Sequence, residues 1–256
     1  MSILPKNERK QTVDVPKNFF IYGATMSGKS YLAEHFPSPL FLNTDGNALA
    51  NPFPNIQLRN IKGEDGKLKR SVLTDIDEIM AELQAQNHNA DFQYKTIVID
   101  VIDDVCQLIE QAVCESNNVT ALADIGYGKG YAIFNTVLSN FVLNLKSLGL
   151  NIVYISRVDY VTEGNDQSNV KEVPSLKTKY YNLVNGNCDL VIHTQKIGKN
   201  YMKTVNDIRK KYYVDDIKDA KIARILKSIP GALFKREAKP EAPKATPETN
   251  TKTTNK

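Results

Sequence analysis

The sequence predicts an α/β fold with a mostly parallel central sheet and helices on both faces. Three observations predict it. Short apolar runs alternate along the chain with segments of helical periodicity. The runs 19–22, 95–100 and 151–155 are continuous rather than alternating, as strands buried on both faces require. A glycine-rich turn joins the first run directly to a helical segment.

Each element follows in order. Phe19-Phe20-Ile21-Tyr22 reads as a short buried strand. Gly23, Ala24, Thr25, Met26, Ser27, Gly28, Lys29 and Ser30 then complete a G-x-x-x-x-G-K-S phosphate loop, and residues 29–36 read as a helix. Residues 39–42 give a second strand ending at Asn43-Thr44-Asp45-Gly46, and 55–59 a third short one. Residues 60–70 read as a charged loop. Ile76, Ile79, Met80 and Leu83 repeat at helical spacing over 74–86, with Thr74 and Asp77 resembling a capping box.

The strand at 95–100 ends in Asp100, and 101–115 reads as a helix. A loop at 124–130 leads into a long helix whose apolar stripe is Tyr131, Phe134, Leu138, Phe141, Leu145 and Leu148, stopped by Gly149. The strand 151–155 follows. The polar stretch 159–174 is long for a connection, which points to a functional or mobile loop. A short helix over 175–184, a hairpin of 189–194 and 201–205 around Gly198, and a last helix over 214–228 complete the series. Three segments result: an N-terminal arm 1–16, one folded domain 17–233 and a tail 234–256. The tail is rich in Pro, Thr, Lys and Glu and too poor in apolar residues to order itself.

Composition removes several function classes. No apolar run approaches the ~20 residues of a membrane span, and the first residues lack a signal-peptide core. Cys106, Cys114 and Cys188 form no C-x-x-C pair, and His35, His88 and His193 are scattered. These features point to a reduced, cytoplasmic setting without a zinc or redox centre. The net charge is +4, but residues 235–256 hold six basic and three acidic side chains, leaving 27 against 26 in the rest. Any nucleic-acid contact must therefore be local.

The candidate residues follow from chemistry. The backbone of 23–30 would cradle a polyphosphate, Lys29 would reach the β- and γ-phosphates, and the Ser30 hydroxyl would bind Mg²⁺, with Tyr31 closing the loop. Asp100, at the end of a buried strand, is the second magnesium candidate. Asp103 and Asp104 read as helix acids complementing the dipole. Asp45 is placed either to orient an attacking water or as plain turn chemistry. Arg157, beside Ser156 at a strand end, is either a γ-phosphate contact or a surface arginine. Lys171, Lys177 and Lys179, with Tyr180 and Tyr181 after them, mix cations and rings as a single-strand site does. The opposing reading makes those tyrosines core anchors. Gly126-Tyr-Gly-Lys-Gly130 lacks the spacing of a second phosphate loop and reads as a turn presenting Tyr127 and Lys129.

The phosphate loop, "PLFLNTDG", "TIVID", "DIGYGKGY", "NIVYIS" and "VPSLKTKYYNLVNGNCDLV", in this order, resemble phage RecA-like ATPases, the AAA-family or Sak-type single-strand annealing proteins. The resemblance spans roughly residues 17–205. It implies a RecA-like P-loop ATPase core using ATP and Mg²⁺, single-stranded DNA binding, and a role in phage recombination, annealing or replication. It also implies a homo-oligomer, with a single-strand-binding protein as a further expected partner. By position Asp45 matches the water-activating carboxylate, usually Glu in RecA. Asp100 matches the magnesium acid, and Arg157 stands where RecA has Gln and the phage group often His. The 159–174 loop matches the DNA-binding loop after the strand 151–155, and Lys129 is a further, weaker DNA-binding candidate. Two other classes compete: a P-loop nucleotide kinase, and a non-hydrolytic nucleotide-dependent adaptor or loader. The seven dispersed arginines disfavour a kinase lid, and the lack of N-K-x-D disfavours a GTPase.

Overall fold

The computed structural model describes residues 15–45, 52–162 and 170–236. Its central sheet has seven strands: β1 (Asn18–Gly23), β2 (Pro39–Asn43), β3 (Asn55–Gln57), β6 (Thr96–Asp100), β7 (Asn151–Ser156), β10 (Leu190–Ile197) and β11 (Asn200–Ile208). Two two-stranded ribbons are separate from it: β4 (Ile61–Lys62) with β5 (Leu68–Arg70), and β8 (Val158–Thr162) with β9 (Val170–Pro174). The sheet order is β11-β10-β1-β7-β6-β2-β3, and every pairing is parallel except β10 with β11.

The helices are α1 (Lys29–Glu34), α2 (Val72–Gln86), α3 (Ile102–Ser116), α4 (Lys129–Ser147), α5 (Thr178–Asn185) and α6 (Ala220–Lys227). They cover both faces. Phe20 and Tyr22 enter a core with α2, α3, α4 and α5; Phe19 and Ile21 enter a second core with α1 and α6. Alternate residues of one strand thus feed opposite cores, which is why the strand reads as a continuous apolar run. Register brings the strand ends to one edge: Gly23 pairs with Thr194, Tyr22 with Ser156, and Asn43 with Asp100. In open α/β sheets that carboxyl edge is where ligands bind.

Several local expectations change. Residues 60–70 form the β4–β5 ribbon instead of a loop. The second helix starts at Val72 and its N-cap is Ser71, which accepts from the Thr74 N–H; Thr74 is inside the first turn. Such a cap contributes about 1 kcal/mol. Tyr131 is largely exposed, whereas Phe134, Leu138, Phe141 and Leu145 are buried, so the α4 stripe begins one turn later. Residues 159–162 and 170–174 pair as a β ribbon; 163–169 lie outside the described residues. The last segment is a 3-10 turn, Val214–Asp216, followed by α6 capped by Asp219. Gly149 and Gly198 take positive φ at the predicted helix stop and hairpin turn. Folded chain continues past 233: the Phe234 N–H donates to the Tyr212 carbonyl, and Arg236 Nη2 donates to both carboxylate oxygens of Asp216. The arm through residue 14, Gly46 with Asn47, and the tail from 237 lie outside the described residues.

Candidate functional site

The loop from Gly23 to Ser30 leaves β1 at the carboxyl edge and enters α1. Gly28 has φ +90°, a left-handed conformation that favours glycine. Gly23 is fixed by crowding: a Cβ there would meet the Thr194 carbonyl oxygen at 2.2 Å and the Thr194 hydroxyl at 2.4 Å. That hydroxyl lies 2.7 Å from the buried Ser27 hydroxyl, so the tip of β10 anchors the loop. Among the described residues no acceptor takes the backbone N–H of Met26, Gly28, Lys29 or Ser30. The loop therefore presents a run of open donors, which fits an anionic ligand.

Lys29 Nζ donates to the Gly23 and Ala24 carbonyls at 2.6 and 2.8 Å. Burial lowers its ammonium below the ordinary lysine value, partly offset by Asp100. The Ser30 hydroxyl donates to Asp100 at 2.8 Å, 70 residues away in sequence. Burial raises the Asp100 carboxyl, opposed by that hydrogen bond, and the Asp45 charge adds to the rise. No group of three or more His, Cys, Asp or Glu side chains among the described residues could hold a metal alone. A Mg²⁺ ion would fit here only as a companion of bound phosphates, with Ser30 and Asp100 on the protein side.

Arg157 follows β7 and faces the first turn of α3. Its guanidinium donates in bidentate fashion to Asp104 at 2.5 and 2.7 Å, and Thr44 donates to the same carboxylate at 3.2 Å. The arginine holds the Asp104 carboxyl below its usual range. Asp103, one residue before, is buried. It accepts from the Ser156 hydroxyl at 3.0 Å, from the Arg157 N–H at 3.2 Å and from the Ser175 hydroxyl. Asp103 and Asp104 do lie in the first turn of α3. They also tie β2, β7 and the start of α5 together, a role their helical position gave no sign of.

A family model for an AAA domain, AAA_24, matches residues 16–211. The chain belongs to this family. The family is one of P-loop ATPases, as the loop at 23–30 and its neighbours lead one to expect. No curated protein matches the chain. Among solved structures the crystal structure of the RadB recombinase is 13% identical and covers 76% of this chain and 82% of that chain, with a TM-score of 0.40. An overlay that loose carries no functional argument.

In this AAA domain the structure brings Lys29, Ser30, Asp45, Asp100 and Arg157 to one edge of the sheet, where their charges act on one another. It does not gather the lysines in the same way. Lys171 is on β9 opposite Val161, Lys129 opens α4, and Lys177 and Lys179 flank the start of α5. Lys177 lies 3.6 Å from Glu110 and over the Tyr180 ring. Tyr180 is buried against Phe134 with centroids 4.4 Å apart, and half-buried Tyr181 stands edge-on to Phe20 at 5.3 Å. Both tyrosines are core anchors. The exposed rings on the same elements as these lysines are Tyr127 and Tyr131 near Lys129 in sequence and, on the β8–β9 ribbon, Tyr160 at 58% exposure. Tyr160 lies in the stretch 159–174, yet only the ribbon pairing reveals that it faces outward.

The ribbon is also fastened to the loop strand. Glu172 on β9 lies 2.6 Å from His193 Nε2, and the imidazole stacks on Tyr22 at 4.5 Å and 8°. Burial pushes the Tyr22 phenol up to about 12. His193 therefore does structural work, and no helix among the described residues is long and apolar enough to cross a membrane.

Proposed function

We propose that this AAA domain binds Mg-ATP on the 23–30 loop, hydrolyses it, and couples the nucleotide to single-stranded DNA in recombination, annealing or replication. The contact between Ser30 and Asp100 beside Lys29 carries the nucleotide part of this reading. Two groups that chelate a nucleotide-bound Mg²⁺ must sit together, and here an α1 hydroxyl and a β6 carboxylate do. Magnesium would neutralise charge on the β- and γ-phosphates; Lys29 would give up its two carbonyl partners to reach those oxygens. Asp45 would orient the attacking water. Arg157, released from Asp104, would contact the γ-phosphate, which links nucleotide to the ribbon that begins at Val158.

The acids divide the work. Asp45→Asn should keep Mg-ATP binding and lose hydrolysis by roughly 10²-fold or more, the usual weight of a positioned acid–base group. Asp100→Asn should instead raise the Mg²⁺ concentration needed for half-maximal turnover. A steady-state assay over a Mg²⁺ titration separates the two, and normal turnover in Asp45→Asn would return Asp45 to turn chemistry.

The DNA part rests on the RecA-like resemblance of the sequence, with the exposed Tyr160 on the β8–β9 ribbon and the lysines of β9, α4 and α5 as its candidate contacts. Lys129, Lys171, Lys177 and Lys179 supply few phosphate contacts per subunit, so useful affinity requires several subunits along one strand. That argues for a homo-oligomer; a cytoplasmic setting and a single-strand-binding protein as a further partner belong to the same proposal. Replacing Lys171, Lys177 and Lys179 by Ala should lower single-strand affinity and reduce the log–log salt slope by up to about 2, since each phosphate contributes ~0.7. ATP binding without DNA should survive. ATP turnover measured with and without single-stranded DNA tests the whole reading: stimulation by DNA supports it, and absence of both turnover and DNA affinity defeats it.

A further inference from the structure

The positive charge of this chain is gathered in one stretch. Residues 196–227 hold ten basic and four acidic side chains. The rest of residues 1–234 holds 17 basic and 22 acidic, a net negative charge. The near-neutral total therefore conceals a polarised molecule.

The structure decides which of those cations are open. Arg209 donates to the Gly186 and Cys188 carbonyls, and Lys210 and Lys211 lie over the Tyr212 and Phe234 rings. Lys203, Lys221 and Arg224 instead line one groove between α1, β11 and α6, with a cavity of about 540 Å³. Lys221 and Arg224 are three apart on α6 and so share a face of it. None of the three has an ion-pair partner among the described residues. Three of the four acids in the stretch are engaged elsewhere: Asp216 takes Arg236, Asp219 caps α6, and Asp207 lines a different cavity with Cys188 and Arg209. Glu34 is the one carboxylate in the groove lining.

The remaining wall is aromatic. Tyr31, His35 and Phe53 line it; Tyr31 is 63% exposed, and His35, one turn on and also exposed, stands 4.5 Å from its ring. Beyond the groove the same face of β11 continues to Tyr201, two residues before Lys203. Tyr201 is more than half exposed, with Lys196 Nζ 5.4 Å from its centroid. Cations and rings thus lie side by side along one surface. It is not the surface of the lysines considered above. Lys129, Lys177 and Lys179 belong to α4 and the start of α5, whose core is on the other face of the sheet from α1 and α6.

We infer that the β11–α6 groove is a second, sequence-independent surface for single-stranded nucleic acid. Its phosphates lie on Lys203, Lys221 and Arg224 and its bases against the rings of Tyr31 and His35. The partner class is that of the DNA reading above, and the inference rests on it to that extent; the surface and its residues are separate. Three converging cations without counter-ions hold a positive potential that favours a polyanion over a neutral ligand. The rings choose among polyanions. A single strand offers base faces that a duplex buries in its own stack, so an aromatic wall contributes only for an unpaired strand. Every base has a π face, which is why no sequence preference is expected.

Fluorescence anisotropy of the full chain with a labelled oligothymidine, and with a duplex of the same length, tests this. The wild type should bind the single strand more tightly than the duplex. Replacing Lys203, Lys221 and Arg224 together by Ala should weaken single-strand binding by about tenfold or more and lower the log–log salt slope by about 2, since each phosphate contributes ~0.7. Mg-ATP affinity of that variant should stay within a factor of about two. Lys221→Glu, at an exposed helical position with no partner to lose, should repeat the direction in a protein that keeps its fold. His35→Ala should weaken the single strand by about fivefold and leave the duplex unchanged, as the loss of a stacking contact predicts. Losses in the Lys171, Lys177 and Lys179 variant with none in the groove variant overturn the groove and leave the DNA reading standing. No wild-type affinity for either oligonucleotide overturns both. Equal affinity for strand and duplex, or displacement of the strand by polyglutamate at matched charge, makes the groove a general anion surface and overturns the single-strand assignment.

Discussion

Lys29→Ala is expected to abolish detectable ATP affinity in a protein that remains folded. The side chain supplies the one ammonium that reaches into the loop, and its present partners are the Gly23 and Ala24 carbonyls at its base. The loop is anchored independently by the Ser27–Thr194 hydroxyl contact, and water can reach the partly exposed Ala24 in place of the ammonium, so the fold survives. A polyphosphate has no comparable substitute. Charge-assisted hydrogen bonds to phosphate are roughly twice as strong as neutral ones, and here burial strengthens them further. Fluorescent-nucleotide titration, with circular dichroism to verify folding, checks this. ATP binding at the wild-type level by a folded Lys29→Ala protein would remove the loop assignment.

Asp103→Ala is expected to cost about 2–4 kcal/mol of stability, the largest effect of any single polar substitution proposed for this chain. One buried carboxylate accepts from two hydroxyls and one backbone N–H, donated by Ser156, Ser175 and Arg157. Removing it leaves the Ser175 hydroxyl and the Arg157 N–H without that acceptor and the Ser156 hydroxyl with only the Arg157 carbonyl at 3.2 Å, and each unsatisfied buried group costs about 1–3 kcal/mol, reduced where water can enter. For a domain of this size that corresponds to a fall of roughly 5–15 °C in melting temperature. Asp104→Ala provides the contrast. Its carboxylate is partly exposed and pairs with an exposed Arg157 side chain, so the loss should stay near 1 kcal/mol or less. Thermal unfolding of the two variants side by side decides the matter; equal shifts would mean that solvent already satisfies the Asp103 network.

The two variants also mark where sequence reading ended. Loop and strand ends were legible because their signals are local. A G-x-x-x-x-G-K-S run between an apolar strand and a helix needs no distant residue to be recognised. Asp100 was legible for the same reason, as the terminal acid of a buried strand. Asp103 and Asp104 carried an equally local signal, acids in a first helical turn, and that signal was true but incomplete. Their partners Ser156, Arg157 and Ser175 lie more than fifty residues away. Tyr180 and Tyr181 posed the opposite problem: cations beside aromatic rings suit a nucleic acid, yet Phe134 and Phe20 cover both rings.

Local composition by itself determined that this chain is an α/β protein with a phosphate loop, because strand burial, helix periodicity and glycine turns are properties of neighbouring residues. Only the tertiary structure decided the rest. The order β10-β1-β7-β6-β2 sets Thr194 against Gly23 and Asp100 against Ser30, and the described residues on either side of 163–169 pair as a ribbon tied down by Glu172 and His193. The physical reason is that a parallel sheet joins strands far apart in sequence. Which side chains meet at its carboxyl edge depends on strand order and register, and neither is encoded in any one stretch of the chain.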